Sequence, residues 1–93
     1  MINDDDGKLR EPVLWFAKQM ENILRTHDDR GGWSECGDLW LFNRMREESQ
    51  ELKRVLGNPE KTIHEAVDVA NFCMMIADNE RRYLHGGIQG GRG

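Results

Sequence analysis

The chain has 93 residues, with 13 basic against 17 acidic side chains and a formal net charge of −4. So short a chain forms one small domain that buries a modest share of its surface, and association with further copies is a natural source of stability. The acidic balance, with a pI near 5.3, excludes the basic footprint of a duplex nucleic-acid binder, and no run reaches the ~20 apolar residues of a membrane span.

"MINDDDGKLRE" is acidic and lacks an apolar core, so it does not read as a signal peptide. Residues 1–10 are expected to be a flexible N-terminus. Pro12 suits a first helical turn. Val13, Phe16, Ala17, Met20, Ile23 and Leu24 then recur at helical spacing, which predicts a helix from Glu11 to His27. "DDRGGWSECGD" breaks the pattern as a loop. A second helix is predicted from Asp38, as N-cap, to Leu56, with Gly57 as its terminator. Asn58 then caps and Pro59 opens a third helix running to about Leu84. In "HGGIQGGRG" five of nine residues are glycine, so 85–93 is expected to be a flexible tail. Cys36 and Cys73 have no metal-ligand or redox spacing and read as reduced thiols of a cytoplasmic protein. No strand-period segment and no repeat is present. The fold class is all-α, a three-helix antiparallel bundle over residues 11–84.

The short Gly57-Asn58-Pro59 link makes helices two and three an antiparallel hairpin. Leu41, Met45, Leu52, Val55 and Leu56 form one stripe of helix two, with Glu48 near its middle and Glu51 at its edge. On helix three, Ile63, Ala66, Val67, Ala70, Cys73, Met74 and Ala77 form a primary stripe, and Val69, Phe72, Met75 and Ile76 cover much of the other side. Such a helix is expected to be buried nearly all round. Glu65 and Asp68 sit on its second face, three residues apart and therefore neighbours.

Helix rise sets the register. Glu51 lies ~8 Å from the end of helix two and Glu65 ~9 Å from the start of helix three; Glu48 and Asp68 lie ~12 and ~13 Å deep. Glu51 therefore faces Glu65, and Glu48 faces Asp68. Four half-buried carboxylates in one nest coexist only if protonated or joined by cations. Oxygen ligands favour Mg2+, with Mn2+ as a substitute, over zinc. A di-iron bundle needs Glu-x-x-His, and the residues three before His27, His64 and His85 are Leu24, Lys61 and Arg82. The spacing alone fits a solvated face as well as a metal site; the burial expected for Glu48 and Asp68 favours the metal.

At these acids the chain resembles the MazG-like, all-α nucleoside triphosphate pyrophosphohydrolases. Their signature, Glu-x-x-Glu followed after one to two dozen residues by Glu-x-x-Asp, reads here "ESQE" (48–51), thirteen residues, then "EAVD" (65–68). "EAVDVANFCMMIAD" (65–78) is similar to the second metal helix of short, single-domain members. "FAKQMENIL" (16–24) and "GGWSECGDLW" (31–40) resemble the segments before the first metal helix, so the likeness spans about 11–80. The resemblance implies Mg2+-dependent cleavage of a (deoxy)nucleoside triphosphate between its α- and β-phosphates, giving a monophosphate and pyrophosphate. It also implies a homodimer or homotetramer that clears nucleotides from the pool. Glu48, Glu51, Glu65 and Asp68 carry over as metal ligands, with Glu48 or Glu51 also the candidate to activate water. Some relatives have a tyrosine where this chain has Phe72, which puts base or sugar selection in doubt.

Further candidates carry two readings each. Trp33 either stacks on a base or closes the end of the bundle. Asn71 either contacts substrate or makes a structural amide bond. Lys53, Arg54 and Lys61 either reach phosphates or form a solvated face. Trp15 and Trp40 read as core, Met45, Met74 and Met75 as core or dimer packing, and His64 as surface. The rival to the enzyme is a non-catalytic helical binding or regulatory module, and a second rival is an enzyme that releases single phosphate.

Overall fold

The computed structural model describes residues 8–28 and 32–86. Most of the expected flexible N-terminus and tail falls outside the described residues. Three helices are present: α1 (Glu11–Arg25), α2 (Asp38–Val55) and α3 (Pro59–Gly86), with a 3-10 turn at Trp33–Glu35 between α1 and α2. Among the described residues there is no strand, and no helix is long and apolar enough to cross a membrane.

The helix ends follow local chemistry, with some corrections. α1 stops at Arg25, short of His27, because the amides of Thr26 and His27 turn back to the carbonyls of Ile23 and Leu24 at 3.0 Å, and the Thr26 hydroxyl donates to Ile23 O at 2.6 Å. At the start of α2 the N-cap is Gly37, not Asp38. Asp38 is the first helical residue, and its Oδ1 is buried without a hydrogen-bond partner. α3 runs through His85 to Gly86, so these two residues are helix rather than tail.

The α2–α3 turn matches the expectation. Gly57 takes φ 98°, a left-handed conformation that costs glycine little and any side chain more. Asn58 Oδ1 accepts from the Lys61 amide at 3.1 Å as an N-cap. The Thr62 hydroxyl closes the turn on Val55 O at 2.9 Å.

α3 is the central element. It packs most extensively on α2, less on α1, and also on the Trp33 turn. Val55 meets Thr62 at the turn and Arg44 lies over Phe72 further along, so α2 and α3 run antiparallel. The fully buried apolar residues are Leu41 and Val67, joined by the buried amides of Asn71 and Asn79.

Two burial expectations are corrected. Trp15 and Trp40 are 41% and 56% exposed, and Leu56, placed in the α2 stripe, is 63% exposed. α3 is not covered all round. It turns Val67, Asn71 and Asn79 inward, while Ile63, Cys73 and Ala77 of the expected primary stripe are exposed. α2, α1 and the Trp33 turn pack on part of α3 only, and on the inward side the amides of Asn71 and Asn79 reach carbonyls of the other elements.

Candidate metal and substrate site

The acids of α2 and α3 form a row along their seam. Glu48 and Asp68, with side chains 21% and 23% exposed, line one cavity of about 160 Å3. One turn nearer the hairpin, Glu51 and Glu65 line a second cavity of about 320 Å3, together with His64 and Lys61. The Glu48 carboxyl also comes within hydrogen-bonding reach of Glu65, which joins the two cavities' acids into one set. Each expected pair lines one cavity, but the side-chain contact across the seam joins Glu48 to Glu65 rather than Glu51 to Glu65.

Electrostatics marks Glu65 as the strained member. Its carboxyl is pushed from 4.5 up to about 7, by burial first, then by the contact with Glu48 and the charges of Glu48 and Asp68, against an opposing pull from His64. Two carboxylates are both acceptors, so the Glu48–Glu65 contact is a hydrogen bond only while one carries a proton. Glu65 Oε1 is closed to solvent with no hydrogen-bond partner. Asp68 is raised as well, by burial first. His64 pulls it back, Glu48 pushes it up, and His27 and Arg44 lower it. A proton or a cation is what such a set needs.

Among the described residues, the group with ligand atoms close enough together for a metal ion does not include Glu48 or Glu51. His64, Glu65 and Asp68 can each offer a ligand atom within 4.8 Å of the others, and His64 Nε2 lies 3.4 Å from Asp68 Oδ2. The spacing argument left His64 at the surface, where it is 60% exposed, and did not give it this role. The carboxylates also have internal counter-charges. Arg44 pairs with Glu47 and, at 3.4 Å, with Glu48, and Arg54 pairs with Glu51.

A third cavity, about 300 Å3, is largely apolar and includes Trp33, Cys36, Trp40, Phe72 and Met75 in its walls. It shares Leu24, His27, Arg44, Phe72 and Met75 with the Glu48–Asp68 cavity. Of the two readings of Trp33, the structure shows the one that closes the end of the bundle. Its ring lines this cavity, and its indole Nε1 donates to Asp78 Oδ2 at 3.0 Å, tying the loop to α3. Asn79 Nδ2 completes the tie by donating to the carbonyls of Trp33 and Cys36 at 3.3 and 3.4 Å. Hydrogen bonds from Arg81, then from Trp33, hold the Asp78 carboxyl below the usual range.

Asn71 is 4% exposed and lines the Glu48–Asp68 cavity. Its Nδ2 reaches Met20 O at 3.4 Å, while its Oδ1 is buried without a partner. Lys53 is exposed on α2 and lines none of these three cavities. Lys61 is brought to the hairpin cavity only. Arg44 and His27 were missed as site residues; Arg44, four residues before Glu48, is legible as its helical neighbour.

Comparison of the chain with protein-family models, with curated proteins and with solved structures gives no match.

Proposed function

We propose that the chain is a Mg2+-dependent nucleoside triphosphate pyrophosphohydrolase of the MazG-like kind, with Mn2+ as a substitute ion. It cleaves a (deoxy)nucleoside triphosphate between the α- and β-phosphates and releases pyrophosphate. The observation that carries this reading is the row Glu51, Glu65, Glu48, Asp68, in which Glu65 Oε1 is shut away without a donor and which runs to the wall of an aromatic cavity.

Glu48, Glu51, Glu65 and Asp68 would hold the ion, which supplies charge neutralisation of the phosphates and a more acidic bound water. Glu48 or Glu51 accepts the proton of the attacking water. The base lies against Trp33, since an aromatic face binds any base. Asn71 Oδ1, lacking a donor, accepts from a sugar hydroxyl or a base amino group. The protein acts in the cytoplasm as a homodimer or homotetramer. The exposed Val13, Trp15, Leu39, Trp40, Phe42 and Ile63 are the apolar area that association would cover.

The test is a panel of nucleoside triphosphates with Mg2+, with pyrophosphate and phosphate measured separately. Pyrophosphate release supports the reading. Phosphate alone points to the single-phosphate rival, and no turnover of any triphosphate removes the enzyme. One observation favours the rival non-catalytic module: Arg44 and Arg54 already neutralise Glu48 and Glu51 within the chain. Activity of the wild-type protein decides between them.

A further inference from the structure

Among the described residues, Arg44 is the one lysine or arginine that lines the Glu48–Asp68 cavity or the aromatic cavity, and it lines both. Its guanidinium lies 5.4 Å from the centre of the Phe72 ring. It meets Glu47 closely, while its bond to Glu48 is long, at 3.4 Å. Its side chain is 37% exposed, so it keeps room to turn. Neither lysine named from the sequence has such a place.

We propose that Arg44 is the phosphate-chain ligand of the site, exchanging its Glu48 contact for the anionic groups of a nucleotide held between the two cavities. This rests on the nucleotide reading above and names the residue that recognises the substrate's charge.

The exchange follows from charge and geometry. Without a divalent ion, Glu48 and Asp68 repel a phosphate chain, and Arg44 serves them as counter-ion. Glu48 would take part in holding a divalent ion, whose charge would replace that of Arg44 and leave the long Arg44–Glu48 contact free to break. The planar fork, stacked on Phe72, then presents N–H donors to phosphate oxygens in paired geometry, which an ammonium on a flexible stem cannot reproduce. Phe72 acts here as the bed of the guanidinium. The lost phenol of tyrosine-bearing relatives is irrelevant to that task, because the cation rests on the ring face.

Asn71 Oδ1, buried in the same cavity without a partner within the chain, leaves an acceptor there for a further polar group. An acceptor oxygen does not bind phosphate, so the anion falls to Arg44 and the uncharged donors of a ligand to Asn71.

The experiment titrates imidodiphosphate, a non-hydrolysable pyrophosphate analogue, into the wild type, Arg44→Gln, Arg44→Lys and the control Arg25→Ala, with Mg2+ and with chelator. Mg2+ binding alone is titrated in parallel, and circular dichroism checks folding. Wild type and Arg25→Ala should bind the analogue only with Mg2+. Arg44→Gln should lose about ten- to a hundredfold in affinity, as expected for a charged hydrogen bond, and keep or tighten Mg2+ binding. Arg44→Lys should fall between, and it carries the test should Arg44→Gln not fold. The proposal is overturned if wild type does not bind the analogue, if both Arg44 variants bind it as wild type does, or if they lose Mg2+ binding in the same proportion, which marks a support for Glu48 only. Binding without triphosphate turnover refutes the enzyme and leaves the Arg44 anion site standing.

Discussion

Replacing Glu65 by Gln should stabilise the metal-free protein at pH 8. The folded protein holds the Glu65 carboxyl at about 7, against 4.5 for the free group. The folded state therefore keeps a proton between these values that the unfolded chain gives up. The stability tied to that proton is complete below 4.5 and is lost as pH rises through 7. Ionising the carboxyl in the fold costs at most about 3 kcal/mol at pH 8, and water reaching the open side of the cavity screens this to about 1–2 kcal/mol. Glutamine has nearly the same shape and no charge to ionise. At pH 4 it should change little; at pH 8 it should raise the melting temperature by about 5–10 °C for a domain of this size. Mg2+ should stabilise wild type at pH 8 and flatten its pH dependence, and should do much less for Glu65→Gln. The assay is a set of thermal melts of both proteins from pH 4 to 8, with chelator and with Mg2+, at one protein concentration. The reasoning is refuted if Glu65→Gln gains nothing at pH 8, or if Mg2+ stabilises variant and wild type equally.

Other outcomes are expected. Glu48→Ala and Asp68→Ala should lower pyrophosphate release at least a hundredfold while sedimentation shows the wild-type assembly; full activity in both would sink the ligand assignment. Gly57→Ala should cost about 1 kcal/mol in chemical denaturation, through the positive φ alone, since nothing lies within 4 Å of an added methyl. Asp78→Ala should lose about 1–3 kcal/mol above pH 4 by freeing the Trp33 indole and two arginines. Because the Asp78 carboxyl is lowered, wild type should lose this advantage as pH falls below 3.8, visible as converging melting temperatures of wild type and variant.

The hairpin and the facing of its acids were legible because they depend on few quantities: a three-residue link with a glycine, and a constant rise per residue. The inward face of α3 was not. An apolar pattern on nearly every side of a helix gives no strong direction, and a buried amide such as Asn71 or Asn79 looks in sequence like a solvated one. Their partners, the carbonyls of Met20, Trp33 and Cys36, lie more than forty positions away in the chain, beyond any local spacing. Trp15 and Trp40 were misjudged for a related reason. Helical spacing reports which residues share a face, and three helices leave some shared faces without a partner. Arg44 gives no distinctive signal in the sequence, because a base four residues before an acid is an ordinary helical surface pair.

The ties from Asp78 and Asn79 to the Trp33 turn have a consequence for how this chain can change over time. One rod carries Glu65, Asp68, Asn71, Phe72 and the anchor of the aromatic wall. Deleting a single residue between 65 and 79 would rotate everything downstream by about 100°, separating the half of the rod that carries the acids from the half that grips the loop. A change of length within that fifteen-residue stretch therefore breaks the shared register of acids and loop ties, whereas an exchange of side chains there preserves it.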